Sequence, residues 1–130
     1  MTSETGSTRF EGATPILSVA DLTASVRYYT EVLGFKNAEW GSEFFTAVSR
    51  DKACIYLCLD RQGHPGTWLW LGVEDVTLVY DEYKRKGARI RMTPHNYPWA
   101  YEMHVEDPDG HVLRIGSEPL ENQPFDEAGF

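Results

Sequence analysis

The chain has 130 residues with 20 acidic against 12 basic side chains, a formal net charge of −8. That is one domain's worth of chain, and the scarcity of clustered Lys and Arg speaks against nucleic acid as a partner. No apolar run approaches the roughly 18 residues of a membrane span and no basic-then-apolar leader opens the sequence, so a soluble cytoplasmic protein is expected.

Residues 1–12 are mostly Ser, Thr, Gly and Glu and read as a flexible arm. A strand is expected from about Thr14 to Val19, followed by Asp21 as a helix N-cap. Leu22, Val26, Tyr29 and Leu33 recur at helical spacing and Gly34 is the stop. Phe44–Val48 and Ala53–Leu59 read as extended segments flanking a Ser49–Lys52 turn. Cys54 and Cys58 share the second of these. Four strand steps put them about 13 Å apart, and a disulfide needs Cα atoms within ~7 Å. Two reduced thiols in an apolar strand fit a reducing compartment.

Thr67–Gly72 reads as the next strand, with Asp75 as cap. Val76, Val79, Tyr80 and Tyr83 form a second helical stripe, closed by Gly87. Extended segments at Ala100–Val105 and His111–Ile115 flank Asp107-Pro108-Asp109-Gly110, a turn in which Pro presets φ and Gly accepts a positive φ. The first and second stretches superimpose at an offset of 54: Val19 on Val73, Asp21 on Asp75, Tyr29 on Tyr83. The reading is therefore α+β, with two βαβββ repeats at about 13–60 and 66–118 forming one domain, and 119–130 a C-terminal tail.

Pro15 to Leu22, Tyr28 to Phe35 and Asp107 to His111 resemble the glyoxalase, bleomycin resistance protein and dioxygenase superfamily, also known as the vicinal oxygen chelate fold. The resemblance runs from about Ala13 to Glu118. It implies four metal-ligand positions in the metal-dependent members, which fall on Thr14, Trp68, Arg114 and, by repeat offset, Leu57. A divalent metal needs His, carboxylate or thiolate donors, so the expectation is no metal and no cofactor. A displaced metal site would have to draw on His64 and His95, expected in loops, or on His111 and His104. Glu102 and His104 share one strand face.

If Trp68 faces the cup of such a fold, as the family pattern implies, then so do Trp70 and Gly72, while Leu69, Leu71 and Val73 meet the helix. Thr14, Ile16, Ser18, Ile55, Leu57, Leu59, Val112 and Arg114 are assigned to the cup by the same alternation. Trp40, Phe44 and Phe45 lie just before the third strand of the first repeat, with one of the two Phe facing the cup. Tyr97 to Tyr101 enters the equivalent strand of the second. The stretch from Asn96 to Trp99 with Glu102 and Asp107-Pro108 is similar to bleomycin resistance proteins, which are metal-free dimers that sequester a cationic drug.

The ligand-binding residues so expected are Trp40, Phe45, Leu57, Trp68, Trp70, Trp99, Tyr101 and Arg114, with no catalytic residue. The function expected is non-catalytic binding of a cationic aromatic small molecule of the bleomycin type. The partner is that ligand, in a homodimer that exchanges its first-strand arm at Pro15. The alternatives are a lyase, isomerase or dioxygenase with a non-standard metal site, and a protein-docking module.

Overall fold

A computed structural model describes residues 7–128. Residues 1–6 of the expected arm and 129–130 of the expected tail lie outside the described residues; 7–12 are exposed and without regular structure. In chain order the elements are β1 (Ile16–Val19), α1 (Leu22–Arg27), a π-helical turn (Tyr28–Val32), β2 (Lys36–Gly41), β3 (Phe45–Arg50) and β4 (Ala53–Leu59). The second half supplies β5 (Trp68–Gly72), α2 (Val76–Lys86), β6 (Arg89–Asn96), β7 (Tyr101–Glu106) and β8 (Val112–Ser117). The first sheet has strand order β1-β4-β3-β2 and the second β5-β8-β7-β6. In each, the crossover through the helix makes the first and last strands parallel and the hairpins make the rest antiparallel. Two βαβββ units are present, as the repeat implies.

Both helices begin as their sequence dictates. Asp21 accepts a hydrogen bond from Ala24 N at 3.0 Å, and Asp75 accepts from Thr77 N at 2.9 Å, which satisfies backbone donors that a first turn leaves without partners. Gly87 ends α2 in the left-handed conformation. The first helix departs from the expected regular stripe. After Arg27 it widens into a π turn, with Leu33 N bonded to Tyr28 O, and this turn sends two adjacent tyrosines toward the other repeat. The Tyr28 hydroxyl donates to Glu106 O at 2.7 Å and that of Tyr29 to the Asp107 carboxylate at 2.8 Å.

One apolar core lies between the helices and the inner faces of both sheets. Leu17, Val19, Val48, Ile55 and Leu57 enter it from the first repeat, and Met103, Val105, Leu113 and Ile115 from the second. Polar groups hold the halves together at this junction. Tyr83 donates to Leu33 O at 2.8 Å, and burial pushes its hydroxyl up to about 12. Arg50 makes two 2.9 Å bonds to Glu82. His111, wholly buried, accepts from Thr67 N on Nδ1 and donates from Nε2 to Ser18 O, joining β1 to the start of β5.

The C-terminal segment is fixed in place at its described residues. Asn96 at the end of β6 accepts from Leu120 N on Oδ1 at 2.8 Å. Its backbone N–H donates to the Asp126 carboxylate at 2.9 Å and its carbonyl accepts from Asp126 N at 2.7 Å. His95, expected in a loop, is part of β6, where a register irregularity accommodates the proline before it.

Candidate ligand-binding site

Each sheet turns one face to the core and the other outward, and strand pairing assigns every side chain. In the second sheet Trp70 pairs with Arg114, Arg114 with His104, and Glu102 with Gly116. Residues two apart share a face, so Trp68, Trp70, Arg114, Glu102 and His104 all point outward.

Glu102 is the centre of this face. It is 0% exposed, and its two carboxylate oxygens accept four hydrogen bonds. Trp99 Nε1 donates at 2.6 Å, His104 Nε2 at 2.7 Å, and Arg114 Nε and Nη2 at 3.0 Å each. Burial pushes this carboxyl up, but the Arg114, His104 and Trp99 donors outweigh it and hold it below the ordinary carboxylate range. Burial lowers His104, with the Arg114 and Arg91 cations adding to the effect against the opposing pull of Glu102. His104 is thus the neutral imidazole at neutral pH, its Nε2–H given to Glu102.

Three indoles surround this network. Trp99 sits in the turn joining β6 to β7, which closes on itself through Tyr97 N to Ala100 O and Ala100 N to Tyr97 O. Its ring stacks on Tyr97 at 4.7 Å and 11°, and Tyr97 stacks on His95 at 6.0 Å and 11°. Trp70 lies directly over Gly116, where a Cβ would overlap its six-membered ring, with the Arg114 guanidinium 5.5 Å from its centroid. Trp68 meets His104 edge-on at 5.5 Å and has Arg91 above it at 5.2 Å. Trp68, Trp70 and Trp99 remain 44%, 49% and 50% exposed. Trp70 also overhangs a groove between the two sheets, lined by Thr14, Pro15, Cys54 and Gly72 among others.

The first sheet carries a second, separate aromatic group on its outer face. Trp40 of β2, Phe45 of β3 and Tyr56 of β4 pack on one another, with Phe45 and Tyr56 centroids 5.3 Å apart. Phe44 points elsewhere, under the Arg61 guanidinium at 3.9 Å.

Of the residues expected in the site, Trp68, Trp70, Trp99 and Arg114 come together on the second sheet, and Trp40 and Phe45 on the first. Leu57 and Tyr101 do not join them. Leu57 is wholly buried in the core beside Leu17, its partner on β1, and Ile55 is with it. Tyr101 alternates with Glu102 and packs against the core with Met103. The error at Leu57 has a definite origin. Two residues, Asp51 and Lys52, close the hairpin between Arg50 and Ala53, while three close the second, between Asp107 and His111. The last strands are therefore related by one residue more than the strands before them, and one residue reverses the face. The outward counterpart of Arg114 is Tyr56. Sequence reading missed Tyr56, Gly116, the Tyr97 and His95 stack, and Glu102 as a hub. The two-residue spacing of Glu102 and His104, three residues beyond Trp99, was the available signal.

The sequence pattern described as the Glyoxalase/Bleomycin resistance protein/Dioxygenase superfamily matches residues 12–115. The chain belongs to that superfamily. No curated protein matches the chain. Among solved structures, a bleomycin-binding protein from bleomycin-producing Streptomyces verticillus, complexed with copper(II)-bleomycin, is similar at 25% identity and TM-score 0.73, covering 85% of this chain and 98% of that one. A bleomycin resistance determinant encoded on the transposon Tn5 gives 23%, 0.73, 85% and 100%. TnmS3, an antibiotic binding protein from a Streptomyces species, gives 23%, 0.68, 84% and 97%. These last two likenesses concern the fold.

The positions that the resemblance assigned to metal ligands are Thr14, Trp68, Arg114 and Leu57, and strand pairing puts Tyr56 rather than Leu57 at the place of Arg114 in the other sheet. This set does not fit a divalent metal. Trp offers no donor, Arg114 is a cation already bonded to Glu102, and Tyr56 is packed among rings. Among the described residues no group of three His, Cys, Asp or Glu converges.

Proposed function

We propose that the chain is a binding protein of the bleomycin resistance type, which sequesters a flat, cationic, aromatic small molecule against the outer face of its second sheet. The observation that carries this reading is the state of Trp99. One face of the indole is stacked on Tyr97 and its N–H is held by Glu102, while half of the residue stays exposed. A ring fixed in this way loses little freedom when a planar ligand extends the stack, and preorganisation of this kind raises affinity.

A cation in the ligand suits both the rings and the charge. Arg114 is neutralised by Glu102 and Arg91 by Glu106, so neither opposes a positive ligand as an isolated charge would. The chain as a whole carries −8, and cation–π contacts with desolvated rings contribute about 1–2 kcal/mol each.

The same reading includes a homodimer. Trp40, Trp68, Trp70 and Trp99 are all about half exposed, and apolar surface of this extent is covered by a partner in most soluble proteins. A second copy related by a two-fold axis would cover part of it and leave two equivalent cups for the ligand, with the segment before Pro15 exchanged between copies. Free Cys54 and Cys58 favour the cytoplasm as the compartment. No helix among the described residues is long and apolar enough to cross a membrane.

Titration with metal-free bleomycin tests the function. Tryptophan emission should quench and saturate at one ligand per site, the melting temperature should rise, and binding should weaken with salt. Trp99→Ala should lose binding and keep the fold. No change in emission or melting temperature at high micromolar drug would overturn the drug assignment. Sedimentation showing a monomer at micromolar concentration would overturn the dimer.

A further inference from the structure

We infer that Glu102 is the positioning residue of the aromatic face, a single group that bears on the orientation of all three indoles. The inference rests on the binding reading for its consequence but not for its geometry. Glu102 touches Trp99 directly through the indole N–H. It reaches Trp70 through Arg114, whose guanidinium stands beside that ring, and Trp68 through His104, whose imidazole meets that ring edge-on.

The chemistry of the four donors singles out a carboxylate. An indole N–H, a guanidinium fork and the Nε2–H of a neutral imidazole can only donate at these atoms. A buried group facing the indole and the guanidinium fork must therefore accept three times, and His104 Nε2 adds a fourth bond in the tautomer that donates; an ionised carboxylate meets all four without presenting a donor of its own. Glutamine, of the same shape, brings an NH2 that confronts at least one donor hydrogen. Two other groups give the arrangement its rigidity: the Tyr97 stack behind Trp99 and the bare Gly116 beneath Trp70. Neither of these specifies where the indole edges point; Glu102 does.

This also explains an otherwise expensive feature. Burying a carboxylate under a binding face is unfavourable unless its lone pairs are used, and an apolar residue would serve the sheet as well. A carboxylate with four partners gives a single arrangement of rings.

The experiment compares the parent with Glu102→Gln and Trp99→Phe by the indole N–H resonances of 15N-labelled, ligand-free protein and by affinity for metal-free bleomycin. In the parent, the resonance removed by Trp99→Phe should lie far downfield and resist exchange with solvent. Glu102→Gln should move that resonance upfield, shift those of Trp68 and Trp70, and weaken drug binding at least tenfold at a temperature where circular dichroism shows it folded. Trp99→Phe in the Glu102→Gln background should cost less than it does in the parent, because the contact is already broken. If Glu102→Gln does not fold, Trp99→Phe alone decides: it keeps an aromatic ring and removes the N–H, and should weaken binding at least threefold. Glu102 is not a positioning residue if all indole resonances stay in place in Glu102→Gln, or if Trp99→Phe as the sole folded variant binds like the parent. Should the parent itself bind no drug while the resonances move as described, the ligand assignment fails and the positioning role stands.

Discussion

The two sheets share a backbone plan and differ in what they present outward. Strand pairing makes Tyr56 the counterpart of Arg114, Ala47 of His104, and Phe45 of Glu102. Where the first sheet places apolar rings that satisfy one another by contact, the second places a charged group, an imidazole and a carboxylate that satisfy one another by hydrogen bonds and hold indoles around them. The inner faces of the two sheets do not diverge in this way, since both are aliphatic and share one core. A duplicated unit can thus keep its fold through one face while the other takes on a separate chemistry.

Substitution at the paired positions Glu102 and Phe45 tests this contrast most severely. Glu102→Ala leaves Arg114 and two neutral donors without their acceptor and should destabilise the protein by about 3 kcal/mol. Phe45→Ala removes half-buried apolar surface, for about 1–2 kcal/mol. Urea unfolding measures both, and equal losses would mean that the two faces are held in the same way.

Next in size is Asn96→Ala, with an expected loss of about 2 kcal/mol, since Leu120 N and two carbonyls of the tail then lose their partner. Limited proteolysis should cut between Leu120 and Asp126 faster in this variant. Cleavage at the parent's rate would show that the tail is held by other contacts.

Gly116→Ala has a smaller effect on stability and a clear one on binding. The added methyl displaces Trp70, a half-exposed side chain that can swing outward, so drug affinity should fall about tenfold, or ~1.4 kcal/mol. Its counterpart Cys58→Ala, on the sheet without such a ring above it, should change affinity less than twofold.

The smallest expected effect is a pH dependence confined to the second sheet. Burial lowers His104, so near pH 6.5 the unfolded chain takes up a proton more readily than the folded one. Stability should fall as pH drops through this range. Glu102, held low by its donors, keeps its contribution above the unfolded carboxylate pKa and loses it only as pH falls through its own. His104→Gln should flatten the limb between pH 7 and 5.5 in thermal melts. An unchanged slope would place the sensitivity elsewhere.

Much of this was legible in the chain itself. The repeat at offset 54, both Asp caps and both Gly stops name the two βαβββ units, because these signals are local. So was the outward direction of Trp68 and Trp70, flanked by Leu69 and Leu71. What was not legible depended on register between strands. Strand pairing relates Ile16 to Trp70 at an offset of 54, Phe45 to Glu102 at 57 and Tyr56 to Arg114 at 58, and an offset one short at the last strand moved Leu57 from the core to the face. Tyr101 was misplaced for a related reason. It lies two residues beyond Trp99, but the hairpin turn ends before it, and within β7 it alternates with Glu102 and faces the core. Glu102 itself reads as an ordinary surface acid until its four donors, drawn from three separate places in the chain, are seen to converge.

The fastening of the tail to Asn96 has a consequence for how chains can meet. β2 and β6 are edge strands of the two sheets, with β1 and β5 the edges on the opposite sides, and bare strand edges invite pairing between molecules. At the end of β6 the N–H and carbonyl of Asn96 are both taken by Asp126, and the rest of that strand carries Arg89, Arg91, Pro94 and register shifts. β2 has its own irregularity near Gly41, with Lys36 and Glu39 along it. Edge-to-edge pairing is hindered along β2 and β6. A chain cut short before Leu120 bares the end of β6 at Asn96 and should be the one that aggregates.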